Sequence, residues 1–190
     1  MSALPLCVVV AMCKTSKGIG HQGSLPWGSK LPKEMKHFAR VTTQTSDPNK
    51  CNAVIMGRRT WESIPEKRKP LPRRFNIVIS STLSQDSVPN DVQIARSFEE
   101  ALELAQNIRR PDKAVERIMV IGGTQVYEEA VRHRSIDTVY LTEILAEFEC
   151  DTFLNLDETK FADVYDVAVS KDEQEENGIH YRYRVLKKIV

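Results

Sequence analysis

Residues 117–133 read RIMVIGGTQVYEEAVRH. A short, mostly apolar run ends at Gly122-Gly123, and a helical pattern begins near Gln125. Strand, glycine turn and helix in that order form half of a βαβ unit, the building block of a parallel sheet covered by helices. Neighbouring segments repeat the arrangement. AVIM (53–56) runs into Gly57-Arg58-Arg59-Thr60 and then a helical TWESI, and FNIVIS (75–80) runs into Ser81-Thr82.

Segments 6–12 (LCVVVAM), 92–95 (VQIA) and 138–144 (TVYLTEI) complete a set of short apolar strands. Such strands are buried on both faces. Between them, Phe98, Ala101, Leu102, Ala105 and Ile108 fall on one helical stripe, opened by a capping box of Ser97 and Glu100. Segments 164–169 (VYDVAV) and 180–187 (HYRYRVLK) flank an acidic tip closed by Asn177-Gly178, which predicts an antiparallel hairpin with Tyr181, Tyr183 and Val185 on one face. The fold class is α/β: a mixed, mostly parallel sheet of eight strands, helices on both faces and a C-terminal antiparallel hairpin. No linker, repeat or low-complexity tract divides the 190 residues, so residues 1–190 are expected to form one domain.

Lys and Arg total 27 against 26 Asp and Glu, a net charge of +1 that argues against a dedicated nucleic-acid or membrane-surface protein. Cys7, Cys13, Cys51 and Cys150 form no C-x-x-C and have no His at metal spacing. They are expected to be thiols in a reducing compartment, with no metal. LCVVVAMC (6–13) is too short to span a bilayer and lacks the marks of a signal peptide, so the cytosol is the expected location.

Ligands of open α/β sheets bind beyond the carboxyl ends of the strands. Glycines there let phosphate approach the backbone, and a following helix offers free N–H groups. Arg58, Arg59 and Arg96 add full charges. A glycine pair after a strand is also a common tight turn, and paired loop arginines are often simply solvated. No G-x-G-x-x-G is present. Cations instead of a ribose-binding acid point, for any dinucleotide, to NADPH.

SLPWGSKLPKEMKHF (24–38) carries the second signal. Leu31, Met35, Phe38 and Val41 trace an apolar helical stripe, and Glu34 lies on it, whereas Lys33, Lys36 and His37 do not. Glu34 could be an exposed acid of the first turn, a buried partner of an arginine, a metal ligand without companions, or a pocket carboxylate for a ligand with paired N–H donors. The flanking Leu25, Trp27, Met35, Phe38 and Ile64 would form a slot suited to a flat heterocycle.

Seven blocks in order, GIGHQGSLPW (18–27), EMKHFARVT (34–42), VIMGRRTWESIP (54–65), PLPRRFNIVIS (70–80), VIGGTQVY (120–127), YLTEI (140–144) and EFECDTF (147–153), resemble the dihydrofolate reductase family, in its longer animal type. The resemblance implies an eight-stranded mixed sheet and NADPH-dependent reduction of 7,8-dihydrofolate to tetrahydrofolate. It matches Glu34 to the acid that grips the pterin, supported by Thr142. It implies backbone contacts from Val8, Val9 and Ile121, and ring contacts from Met35, Phe38 and Ile64, with Leu71 beside them. Arg74 matches the clamp on the folate glutamate, near Arg40 and Thr42, and Tyr127 completes the active-site wall.

On the cofactor side, the resemblance puts Val10, Ile19, Gly20, Gly23 and Ser24 around nicotinamide. Gly57, Arg58, Arg59 and Thr60 match phosphate contacts, and Ser80, Ser81 and Arg96 match the adenosine end. Gly122, Gly123, Thr124, Gln125 and Val126 match the pyrophosphate turn, whose Gly-Gly peptide is cis in the family. Leu25 and Trp27 would hold a water that protonates the pterin. Ser24, Met35, Val10 and Ser81 depart from the family's common choices. Antifolate-type small molecules are the other expected partners, and nothing demands more than a monomer. A pyrimidine-type reductase would share the sheet and NADPH without needing Arg74 or the Glu34–Thr142 pair; a bare nucleotide-binding module would lack the acid in its aromatic slot.

Overall fold

The computed structural model describes residues 3–110 and 113–189. In chain order these form β1 (Leu6–Cys13), β2 (Gly18–Gly20), α1 (Pro32–Thr43), β3 (Lys50–Gly57), α2 (Arg58–Ser63), β4 (Arg74–Ile79), β5 (Val92–Ala95), α3 (Phe98–Asn107), β6 (Arg109–Arg110), β7 (Lys113–Val120), α4 (Thr124–Arg132), β8 (Ile136–Ile144), β9 (Thr152–Phe153), β10 (Phe161–Asp163), β11 (Gln174–Glu176) and β12 (Ile179–Lys188).

Eight strands run in the spatial order β10-β12-β8-β1-β7-β3-β4-β5, with β11 added to β12 and β6 to β7. The block from β8 to β5 is parallel throughout. β12 lies antiparallel to β8 and to β10. The mixed, mostly parallel sheet expected from the sequence is therefore present.

Period-2 alternation sorts each central strand between two cores. Leu6, Val8, Val10, Ala53 and Ile55 pack with Phe98, Ala101, Leu102 and Ala105 of α3 and Val126, Tyr127 and Ala130 of α4. Cys7, Val9, Val54 and Met56 pack with Val41 of α1 and Trp61 of α2. Apolar residues at every strand position are what helices on both faces require. The connections through α1 and α4 thus leave on opposite faces, opening a crevice past the carboxyl ends of β1, β3 and β7.

The terminal hairpin differs from its sequence reading. Residues 164–169 are not a strand, and Tyr165 and Val167 are 63% and 85% exposed. Asn177 (φ 52°) and Gly178 (φ 77°) both adopt the left-handed region, making a two-residue turn. That turn pairs Glu176 with Ile179 and Gln174 with Tyr181, so the polar residues just before it become the strand. Turn geometry outweighed hydrophobicity in setting the register. The capping box is also altered: Ser97 Oγ accepts the Glu100 N–H at 3.1 Å, while the Glu100 carboxylate takes the Arg96 N–H.

Candidate active site

Glu34 is 5% exposed, on the face of α1 turned to the sheet. Thr142 of β8, itself paired with Ala11 of β1, donates its hydroxyl to Glu34 Oε1 at 3.0 Å. This leaves Oε2 for a ligand's N–H. Burial drives the Glu34 carboxyl up to about 7; the Thr142 hydrogen bond opposes the rise and the nearby Glu176 charge adds to it. A buried carboxyl poised near neutrality has the character of an acid–base group. Its burial excludes the exposed first-turn acid, and the only side-chain hydrogen bond it makes among the described residues is to Thr142, not to an arginine.

The apolar slot is assembled around it. Phe38, Ile64 and Leu71 are half-buried against one core cluster, while Leu25 and Met35 are each 37% exposed. Asn76, buried in β4, fixes Leu71 by accepting its N–H and donating to its carbonyl, both at 2.9 Å. Trp27 is 1% exposed, and its Nε1 is a buried donor without a partner among the described residues. His37, off the apolar stripe, lies flat on Tyr183 with ring centroids 3.6 Å apart.

The Tyr127 hydroxyl donates to the Val9 carbonyl at 2.8 Å, joining α4 to β1 beside the crevice. Burial, and then the Glu34 charge, raises the Tyr127 phenol well above its ordinary range, so it stays a neutral donor. Val8 and Val10 turn into the core under α4, which leaves them only backbone to offer a ligand. Ile121 is buried and donates its N–H to the Ile55 carbonyl.

Arg74 sits at the start of β4. Its Nη1 donates to Thr42 Oγ1 at 2.7 Å and its Nε to the Pro72 carbonyl at 3.0 Å. Burial, then Arg73, lowers Arg74 to about 10, still fully charged at neutral pH. With two donors fixed, the rest of its fork can meet a carboxylate. Arg40 engages His37 Nδ1 instead, at 3.0 Å on the exposed side of α1.

A second group of residues gathers past the ends of β3, β4 and β7. Gly57 donates its N–H to the Gly122 carbonyl at 2.8 Å, and the Gly122-Gly123 peptide is cis. Gly122 has φ 131°, and a Cβ there would lie 3.1 Å from Thr60 Oγ1. Thr124 Oγ1, at the first turn of α4, is buried without a partner among the described residues. Val126 is buried beside Gly57, and Gln125 donates to Glu129 at 3.4 Å.

Arg58 bonds Glu62 and Thr82, and Arg96 donates to the carbonyls of Ser80 and Leu83. Ser80 Oγ accepts the N–H groups of Thr82 and Leu83, and Ser81 and Arg59 are exposed. Close-packed glycine backbone, an orphaned hydroxyl at a helix start and three arginines fit a dinucleotide phosphate chain.

The loop of residues 18–24 is pinned at both arms. β2 pairs with β9, and Ile19 packs on the core. Gly20 accepts the Asp151 N–H, and Gly23 lies in a turn closed by the reciprocal backbone bonds of His21 and Ser24. The Asp151 carboxylate accepts the Gln22 N–H at 2.7 Å, so Asp151, and not the Ser24 side chain, steadies this loop. Sequence reading also missed Glu176, which accepts the N–H groups of Lys33 and Glu34. Its only sequence signal is its position beside Asn177-Gly178.

The family profile described as dihydrofolate reductase matches residues 6–188. A dihydrofolate reductase of Drosophila melanogaster is 40% identical over 182 residues, covering 95% of this chain and 96% of its own. That of Sus scrofa is 41% identical over 187 residues, covering 97% and 98%. The solved Schistosoma mansoni dihydrofolate reductase superposes with a TM-score of 0.86 at 40% identity, covering 99% of this chain and 100% of its own.

Proposed function

This chain belongs to the dihydrofolate reductase family, enzymes that reduce dihydrofolate to tetrahydrofolate, and from that premise we propose that it does so with NADPH, using Glu34 as the pterin-binding acid. The observation that carries the reading is the buried Glu34, on the sheet-facing side of α1 and held on Thr142 at 3.0 Å.

Glu34 accepts the paired N–H groups of the pterin edge, with Thr142 fixing the carboxylate plane. Met35, Phe38 and Ile64 hold the ring and the benzoyl group, and Leu71 lines the same slot. Arg74, braced by Thr42, takes the glutamate carboxylate of the substrate. Arg58, Arg59 and Arg96, with the N–H groups opening α4, hold the cofactor phosphates; Arg59 and Arg96 carry the 2′-phosphate where Ser81 offers no charge. When bound, the nicotinamide supplies the hydride.

The chain's own task is to hold the two rings at near-attack distance and keep bulk water out. Glu34 addresses the far edge of the pterin and cannot itself reach the nitrogen that must be protonated. A water held near Leu25 and Trp27 delivers that proton, while Glu34, poised near neutrality, sets the electronic state of the ring.

The same reading makes the chain a cytosolic, monomeric single domain that also accepts antifolate-type ligands. Its cysteines are all free thiols, and burial raises Cys7 and Cys13 to about 12 and about 11, where they stay protonated. The braced Arg74 and the Glu34–Thr142 pair favour this reading over a pyrimidine-type reductase, whose substrate has no glutamate tail to clamp. The test is loss of NADPH absorbance when purified protein meets dihydrofolate. No loss, with cofactor binding intact, would instead indicate a nucleotide-binding module.

A further inference from the structure

We propose that Glu176 is a positioning residue for the reaction: from the C-terminal hairpin it fixes the first turn of α1, so that Glu34 stays seated on Thr142 and faces the crevice. The inference rests on the assignment of Glu34 as the pterin acid.

Helix α1 starts without a side-chain cap of its own. Leu31 occupies the N-cap and Pro32 follows it, so the N–H groups of Lys33 and Glu34 begin the helix with no local acceptor. Glu176 supplies both: Oε1 accepts the Lys33 N–H at 2.7 Å and Oε2 the Glu34 N–H at 3.2 Å, across more than 140 positions of sequence. The fully buried Tyr181 donates its hydroxyl to Glu176 Oε2 at 2.6 Å. Among the described residues three donors and no acceptor meet these oxygens, as a carboxylate requires. Asn177 Nδ2 adds a bond to the Lys30 carbonyl at 2.7 Å, so the hairpin turn grips the chain on both sides of the helix start.

Glu176 is 6% exposed, and a carboxylate buried at a helix N-terminus complements the positive end of the helix. Its placement also bears on the charge of Glu34. Glu34 is faced by Thr142 from β8, by the phenols of Tyr127 on α4 and Tyr183 on β12, and by Glu176 on β11. Of these, Glu176 is the anion. It opposes ionisation of Glu34 and so adds to the effect of burial. One side chain therefore orients the pterin acid through the backbone and helps keep it protonated near neutrality.

The test titrates Glu34 directly, by carbon NMR of protein labelled at the glutamate carboxyls, with E34Q identifying the resonance. Removing the charge in E176Q should move the Glu34 midpoint down by about half a pH unit or more. It should also weaken folate binding by about tenfold while NADPH binding, followed by fluorescence, is retained. An unchanged midpoint and unchanged folate affinity, with only the melting temperature lowered, would make Glu176 a helix cap and nothing more, and would overturn the proposal.

Should E176Q not fold, E176D keeps the charge but shortens the reach. The Glu34 midpoint should then stay near its wild-type value while folate affinity falls, and wild-type affinity in E176D would equally overturn the proposal. The titration needs neither ligand nor turnover. A wild-type protein that fails to oxidise NADPH with dihydrofolate would sink the functional reading and leave the titration standing.

Discussion

Thr142 and Glu34 are 108 positions apart in the chain, yet the hydroxyl of one lies 3.0 Å from the carboxylate of the other inside the core. A buried carboxylate is costly unless it is hydrogen-bonded or protonated, and this one is both bonded and poised to protonate. The fold maintains an expensive group where a ligand can use it.

Glu34→Gln keeps the shape and removes the acid. Turnover of dihydrofolate should fall by about a hundredfold or more, whereas NADPH affinity should change by less than about twofold. Steady-state kinetics and a fluorescence titration of NADPH provide the check, and equal loss of both would reject the role.

Stability should carry the same signature. Folded Glu34 titrates at about 7 against 4.5 for the ordinary carboxyl, so between those values the folded state holds a proton that the unfolded state has released. Its stabilising contribution is full below the lower value and is lost as pH climbs through the upper one. The interval corresponds to about 3 kcal/mol. Glu34→Gln, neutral throughout, should therefore gain on the wild type as pH rises from about 5 to about 8, by roughly 6–12 °C in melting temperature. Parallel curves for the two proteins would contradict the placement of Glu34.

Arg74→Gln removes the charge braced by Thr42. Dihydrofolate should bind about 10- to 100-fold more weakly, the worth of a charge-assisted pair with carboxylate. A reduced pteridine without the glutamate tail should bind the variant and the wild type alike. Comparing KM for the two substrates separates a tail clamp from a general packing defect.

Arg59 is exposed beside the glycine turn, whereas Arg58 and Arg96 are already bonded within the protein. Arg59→Gln should raise the Kd for NADPH by about tenfold or more and leave that for NADH nearly unchanged. An equal rise for both would place Arg59 on a phosphate common to the two cofactors.

Gly122→Ala puts a Cβ 3.1 Å from Thr60 Oγ1 at a backbone φ of 131°. A side chain there is strained regardless of space, so the variant should lose about 1–3 kcal/mol of stability together with NADPH affinity. Chemical denaturation and the NADPH titration report the two losses.

Several elements could be read from local pattern alone. VQIA at 92–95 is β5 as expected, and the stripe from Phe98 to Ala105 is α3, because period and apolarity there agree with burial. VYDVAV failed, since a left-handed pair at Asn177-Gly178 committed the hairpin to other residues. In the site, Glu34 was legible because one acid broke an apolar stripe. Asp151 and Glu176 were not, because each acts on backbone groups of distant segments, nor was Asn76, whose amide ties the Leu71 backbone five positions back; none bears a local mark.

The sequence by itself determined the α/β class, the glycines and arginines that follow the strand ends, and an acid aimed at the apolar side of a helix. Those follow from periodicity and residue chemistry, which act over a few positions. Only the tertiary structure decided that Thr142 meets that acid, that Glu176 secures the turn carrying it, and that Thr42 braces Arg74. Hydrogen bonds and desolvation depend on distance in space, and the sheet order that brings β1, β8 and β12 side by side is a property of the whole chain.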